Sequence, residues 1–344
     1  MDKNVEEFIA RKDERKNSAN AKLKLLVYGV KDNPEIFEKY QSLFKEEHYA
    51  YDNGNWEVDK NRLTPSEVLL PGGIVSKLHI RPDSPLTLVL ENDKLYIKNE
   101  KEYLSEFTFI PRPNFWDYKT SKGTPTKKLA QLYGLNCMNI NIFSGCEFHN
   151  VGLPCKFCSV KNAVRRDDPV EIIKSPDELA EVCEFATKYD DYNYIIITGG
   201  SHLNTDEEFD KHMEVIKAVK DKLKWNGKIK GNVAMMPPKT ISKLKELYDI
   251  GVENPSFNME VWPKSNFEKI CPGKEKYVGF DNVVESLLYL RDIYGDGKVW
   301  CNFVAGLVPL EDMKAGFKFM AEHGIVPGAN IYHAEVGSVI GKRL

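Results

Sequence analysis

From Gln131 onward, short apolar runs alternate with amphipathic segments about six times, and this rhythm narrows the fold more than any other feature of the chain. Strands are expected at Cys137–Phe143, Tyr192–Thr198, Lys230–Met235, Pro255–Val261, Val299–Ala305 and Ala329–His333. The helices between them carry end signals. Ser175-Pro176-Asp177-Glu178 reads as an N-cap serine, an N1 proline and a glutamate closing a capping box, and Thr205 with Glu208 repeats the device. Thr240–Tyr248 and Phe280–Tyr294 end near Gly251 and Gly295, and a last helix from about Leu310 to His323 stops at Gly324. Strands joined by helical crossovers build a parallel sheet with right-handed connections, either open or curled. The expected fold class is therefore α/β, a partial (β/α)6 TIM-like barrel.

The faces of the strands favour the curled form. Cys137, Asn139 and Asn141 alternate with Met138, Ile140 and Ile142, and Ser256, Asn258 and Glu260 alternate with Phe257, Met259 and Val261. Asn232, Asn302 and Asn330 extend the polar set. Full barrels pack their interiors with branched apolar residues. A ring of amides instead suggests an open lumen lined for a polar ligand, with Asn139, Asn141, Asn232 and Asn302 as substrate-binding candidates. The competing reading is that these amides satisfy one another or buried water.

Residues 1–130 form an expected N-terminal α+β extension, and residues 131–344 the barrel. The first 24 residues are densely charged and read as a surface helix or arm. Glu35–Glu47 has helical spacing after Asn33 and Pro34, and the apolar runs flanking Asn92-Asp93 read as a β-hairpin beside a further strand. The extension carries no chemical motif of its own and is expected to act as a lid.

Composition then excludes several classes. Of 344 residues 42% are apolar, enough for a substantial core, and a net charge of -3 with both signs interspersed gives no footprint for nucleic acid or anionic lipid. No stretch of about 18 apolar residues and no signal-peptide pattern is present, so a cytoplasmic location is expected. Seven cysteines, an odd number in such a chain, argue for thiols that bind metal or pack.

Three of them, Cys146, Cys155 and Cys158, crowd into SGCEFHNVGLPCKFCSV at the C-terminal end of the first strand, where parallel α/β folds place their chemistry. Gly145, Gly152 and Pro154 mark an exposed loop. Three thiolates can hold three irons of a [4Fe-4S] cluster, whereas Cys146 and His149 with Cys155 and Cys158 could hold zinc. Spacing alone leaves both open.

Cys146, Cys155, Phe157 and Cys158 resemble the cluster loop of the radical S-adenosylmethionine superfamily, which usually has three and then two residues between its cysteines; here the first gap holds eight. YIIITGGS, with Thr198, Gly199 and Gly200, resembles that superfamily's second strand and glycine pair, with Ser201 where a glutamate is usual. VENPSFNMEVWP, with Asn258 and Glu260, resembles the fourth strand, and NFVAGLVPLED, with Val304 and Gly306, the fifth. The resemblance implies a [4Fe-4S] cluster on Cys146, Cys155 and Cys158. It implies S-adenosylmethionine against Phe157, Thr198, Gly199, Gly200, Ser201, Asn258, Glu260, Val304 and Gly306, and an external electron donor of flavodoxin or ferredoxin type. A small-molecule substrate in the lumen follows, and the lengthened gap without further cluster motifs looks most like the queuine lyase subgroup, which releases 7-aminomethyl-7-deazaguanine. His202, His333 and Glu335 are the catalytic candidates, set against capping or surface roles. Cys183 and Cys301 read as packing residues, and Cys271 in KICPGK is weighed as a redox partner or second-cluster ligand, against which stands the absence of a companion cysteine. The reading from a different class is a zinc-stapled, non-catalytic α/β binding protein.

Overall fold

The computed structural model describes residues 3–44, 64–65, 67–160, 173–192, 194–225, 227–334 and 338–341, with side chains from residue 13 onward. The chain divides into two compact units, Met1–Pro113 and Asn114–Leu344.

The first unit opens with helix α1 (Lys3–Tyr28) and helix α2 (Pro34–Tyr40). Asn33 caps α2, its side-chain oxygen accepting from the Ile36 N–H at 3.1 Å, with Pro34 in the first turn as expected. Helix α2 is shorter than the pattern suggested, and residues 45–47 of the expected helix lie outside the described set. Strands β1 (Glu67–Leu70), β2 (Ile74–Lys77), β3 (Thr87–Glu91), β4 (Lys94–Lys98) and β5 (Tyr103–Phe109) form an antiparallel sheet in the order β2-β1-β5-β4-β3. The expected hairpin is β3–β4. Asn92 and Asp93 both take positive φ (50° and 60°), the geometry of a two-residue turn that follows the strand twist. One sheet face buries Val68, Leu88, Ile97 and Phe107 with Leu25 and Phe37.

The second unit holds strands β6 (Ala130–Tyr133), β7 (Cys137–Asn141), β8 (Tyr194–Thr198), β9 (Ile229–Ala234), β10 (Val252–Ser256), β11 (Trp300–Ala305) and β12 (Val326–Ile331). They make one seven-stranded sheet in the order β12-β11-β10-β9-β8-β7-β6. Strands β7 to β12 run parallel, as the rhythm of the sequence implied, and β6 adds an antiparallel edge that it did not. Among the described residues its α-helices are α3 (Glu147–Asn150), α4 (Pro176–Tyr189), α5 (Thr205–Lys222), α6 (Lys245–Ile250), α7 (Lys264–Ile270), α8 (Pro272–Tyr277), α9 (Phe280–Tyr294) and α10 (Leu310–Glu322). Met138, Ile140, Ile195, Ile197 and Val233 point to the helix side and share one apolar core. The alternate residues occupy the other face, where Asn139, Ile196, Asn232 and Asn254 lie in register across four strands. The polar inner face is real.

Several local readings need correction. The fourth strand was placed at Pro255–Val261, but β10 ends at Ser256, with a register irregularity between Val252 and Asn254. Beyond it the chain touches its neighbour at one bridge, Glu260 to Phe303, with Glu260 at φ 66°. Neither capping box forms. Ser175 makes no side-chain cap, and Glu178 instead accepts from the Thr120 hydroxyl at 2.7 Å. Asn204, not Thr205, caps α5. Helices α7 and α8 had no counterpart in the sequence reading. Asn330 is exposed on the edge strand β12 and does not join the buried amides. No helix among the described residues is long and apolar enough to cross a membrane.

Candidate functional site

The three clustered cysteines follow β7 directly, and the backbone fastens their loop to the turn after β8. The Gly200 N–H donates to Phe143 O and the Glu147 N–H to Ser201 O, both at 2.8 Å. A Cβ on Gly200 would collide with the Gly145 carbonyl oxygen. The second glycine of the pair therefore lets the two loops cross at van der Waals distance, a use of glycine that any side chain would block. The loop is packed, contrary to the exposed loop expected from its glycines and proline. Phe148 and Cys155 are buried, and Cys146, Phe157 and Cys158 are half-buried against the barrel core.

All three thiols are free, and each lies close enough to bear on another's ionisation. Burial pushes Cys146 up, against N–H groups of Ser201 and Phe148 that donate to it. Hydrogen bonding to Cys271 and burial push Cys155 well up. Burial and then Cys155 push Cys158 up to about 12, although the Val160 N–H donates to it. Left to themselves these thiols hold their protons; a cationic centre reverses that balance by binding the thiolate form. Three free thiols on one packed loop are the donor set that a [4Fe-4S] cluster takes. Among the described residues no three His, Cys, Asp or Glu side chains converge as one ion requires. Zinc would draw Cys146, His149, Cys155 and Cys158 to about 2.0–2.3 Å. A cluster spreads its ligands around a cube and asks for no such convergence.

Around the loop stand Glu208, Glu147 and His202. Glu208, expected to close a capping box, is buried, and its carboxylate accepts from the backbone N–H of His202 and of Met236, both at 2.9 Å. It ties the turn after β8 to the turn after β9. Burial raises Glu208 to about 7 despite both donors. Glu147 accepts from the Leu203 N–H at 2.7 Å and faces His202 Nδ1 at 3.4 Å. His202 stacks on Phe143 with ring centroids 4.5 Å apart. Burial, helped by Lys211, lowers His202 against the opposing pull of Glu147. The sequence offered His202 as a catalytic candidate; its contacts hold it to the loop.

Glu260 and Asn258 are also held. The Lys274 ammonium donates to Glu260 Oε1 at 2.6 Å and to the Asn258 carbonyl at 3.2 Å, and both charged side chains are nearly buried. Burial would lower Lys274, but the Glu260 carboxylate together with Cys155 and Cys271 outweighs it and holds the ammonium above its ordinary range. Glu260 also accepts through its backbone from the Val304 N–H at 2.7 Å, which fixes the fifth-strand segment carrying Val304 and Gly306. Gly306 is exposed, with φ 101°. A left-handed φ at a non-glycine such as Glu260 costs about 1–3 kcal/mol and collects at functional sites. No pattern in KICPGK pointed to Lys274.

On the inner face the amides divide. Asn232 donates to Asn254 O at 3.0 Å, and Asn302 to Asn258 Oδ1 at 3.1 Å, which Ser256 also reaches. Asn139 donates to the Tyr133 hydroxyl at 3.2 Å, but Asn139 Oδ1 and Asn141 Oδ1 are shut off from solvent and have no hydrogen-bond partner among the described residues. Thr198 pairs in register with Asn141, at the top of the same face. His333 is half-buried just beyond β12, and Glu335 lies outside the described residues.

No family model matches the chain. Among curated proteins it is similar to a bacteriochlorophyllide c C-7(1)-hydroxylase from Chlorobaculum limnaeum, 23% identical over 64% of this chain and 58% of that protein. The chain thus spans little more than half the length of that relative. Among solved structures it is similar to methylornithine synthase, at 14% identity, a TM-score of 0.46, and coverage of 66% and 65% of the two chains. It is also similar to a radical SAM methyltransferase from Sphaerobacter thermophilus, at 10% identity, a TM-score of 0.41, and coverage of 73% and 78%.

Proposed function

We propose that this chain is a radical S-adenosylmethionine enzyme in which Cys146, Cys155 and Cys158 hold three irons of a [4Fe-4S] cluster. One observation carries the reading: three free thiols on a packed loop pinned across Gly200 at the C-terminal edge of the parallel sheet. If bound there, the cluster and S-adenosylmethionine would supply one-electron radical chemistry, with a flavodoxin- or ferredoxin-type donor as the electron source.

The residues of the chain bind and orient. Phe157, Thr198, Gly199, Gly200 and Ser201 line the approach from the cluster loop to β8, and Lys274 holds Glu260 and Asn258 for contact with the nucleoside. Backbone ties to Glu260 fix Val304 and, beyond it, Gly306 on the adenine side. His202, Glu147 and Glu208 keep these turns together and leave the hydrogen-bonding work on substrate to Asn139 and Asn141. Their unpaired oxygens call for a ligand with N–H or O–H donors, because a buried acceptor left unpaired costs about 1–3 kcal/mol. Asn232 and Asn302 shape the wall and are spoken for by the protein.

Queuine, cleaved to 7-aminomethyl-7-deazaguanine in queuosine precursor salvage, is the proposed substrate. Its base offers ring and amine N–H donors, and a free base needs no phosphate contacts, in keeping with the unbasic composition. The similarity to a bacteriochlorophyllide hydroxylase makes bacteriochlorophyllide c the competing substrate. The setting proposed is cytoplasmic and anaerobic. Reduced, reconstituted protein is incubated with S-adenosylmethionine and either compound. Formation of 5′-deoxyadenosine should accelerate with queuine; acceleration with bacteriochlorophyllide c alone, or with neither, removes the lyase assignment.

A further inference from the structure

Gly328 lies on the edge strand β12, directly across the ladder from Asn302 of β11. It is not among the glycines with positive φ, so its backbone does not call for glycine. Space does. A Cβ on Gly328 would collide with Asn302 Oδ1, and among the described residues the only atoms within 4 Å of it belong to the Asn302 side chain. The missing side chain makes a seat for the Asn302 amide, with its oxygen on Gly328 and its nitrogen turned toward Asn258.

From that seat Asn302 Nδ2 donates to Asn258 Oδ1 at 3.1 Å, and the Ser256 hydroxyl donates to the same oxygen at 3.2 Å. An amide oxygen has two lone pairs, and both are taken. The Lys274 ammonium donates to the Asn258 backbone carbonyl at 3.2 Å. Asn258 is thus held at both of its oxygens, while its Nδ2, with two N–H donors, has no hydrogen-bond partner among the described residues. Turning the Asn258 amide over would set its N–H groups against those of Asn302, so Asn302 fixes which end faces outward. The same Lys274 ammonium occupies Glu260 Oε1 at 2.6 Å and leaves the second carboxylate oxygen as an acceptor. A donor and an acceptor gathered at one ammonium match a pair of hydroxyls, one accepting from Asn258 and one donating to Glu260. The ribose diol of a nucleoside is such a pair.

Resting on the reading that S-adenosylmethionine binds against Asn258 and Glu260, we infer that Asn302 is a positioning residue, seated on Gly328, that holds the Asn258 amide nitrogen toward the ribose hydroxyls and so sets the preference of the site for a nucleoside that carries them. The inner-face pattern offered Asn302 as a substrate contact; here it acts through Asn258, and Gly328 acts through Asn302.

The test uses the full chain reconstituted anaerobically with iron and sulfide, as wild type, Gly328→Ala, Asn302→Ala and the double variant, each checked for folding by circular dichroism. Equilibrium dialysis measures the Kd of S-adenosylhomocysteine and of its 2′,3′-dideoxy analogue. The wild type should prefer the compound with the diol. In each single variant that preference should shrink about fivefold, the effect of one hydrogen bond. The double variant should match Asn302→Ala, because the alanine at 328 has nothing left to displace. A merely structural role lowers stability and leaves the ratio of the two affinities where it was. Should Gly328→Ala fail to fold, Asn302→Leu, which fills the seat without a donor, should show the same narrowed ratio as Asn302→Ala. An unchanged ratio in the single variants overturns the inference, and so does a further fall in the double variant. A wild type that binds both compounds equally overturns the inference alone, whereas one that binds neither overturns the nucleoside reading with it.

Discussion

The inner face of the barrel sheet carries the same residue type on both sides, yet the two sides have different fates. Toward β9, β10 and β11, Asn232, Asn258, Asn302 and Glu260 are bonded to the protein, with Lys274 driven into their midst. On β7, Asn139 and Asn141 keep buried oxygens without partners. A buried polar group that is satisfied belongs to the fold, and one that is not asks for something from outside. On the proposed reading one half of the face is scaffold and the other meets the ligand.

Lys274→Met should break the scaffold half hardest. It leaves the Glu260 carboxylate buried without its counter-charge, and removing one member of a buried pair costs about 3–5 kcal/mol. Urea denaturation measures it, and a loss below about 1 kcal/mol would mean that water already shares the site.

Glu208 adds a pH signature. Its folded-state pKa of about 7 lies above the ordinary carboxylate value, so the folded chain holds the proton more tightly than the unfolded chain. The stability from this group is fully present below the unfolded value and is lost as pH rises through about 7. Relative to Glu208→Gln, the wild type should lose on the order of 2 kcal/mol between pH 5 and 8. Cluster-free protein followed by urea melts at the two pH values reads it; parallel pH profiles would remove Glu208 from the account.

Asn141→Ala and Asn302→Ala sharpen the comparison directly. Removing Asn141 should change stability by less than about 0.5 kcal/mol and slow substrate-dependent 5′-deoxyadenosine formation about tenfold, or 1.4 kcal/mol. Removing Asn302 should cost about 1 kcal/mol of stability with a smaller effect on turnover. A reversed ranking would exchange the two halves.

The parallel strands were legible because each kept period two on one face and was followed by a helix at period 3.6. The division of the amides was not. Asn141 and Asn302 look alike in sequence, and only the register with Asn258 decides that one is bonded and the other is not. Strand β10 was misplaced for a related reason: polar and apolar residues keep alternating through Val261 while the backbone leaves the ladder after Ser256 and turns through a left-handed Glu260. Glu208 had the spacing of a capping box and went elsewhere because Asn204 already supplied the cap. Lys274 and Cys271 sit beside a helix break at Pro272, where no periodic signal survives. The three cysteines were legible from spacing alone, but not that their loop is packed.

The most direct measurement compares wild type with Cys158→Ala after anaerobic reconstitution, scoring iron, sulfide and reductive cleavage of S-adenosylmethionine. The account predicts about four irons per chain and 5′-deoxyadenosine from the wild type, with Cys158→Ala losing both. A colourless wild type holding one zinc, or cleavage retained without Cys158, would contradict it.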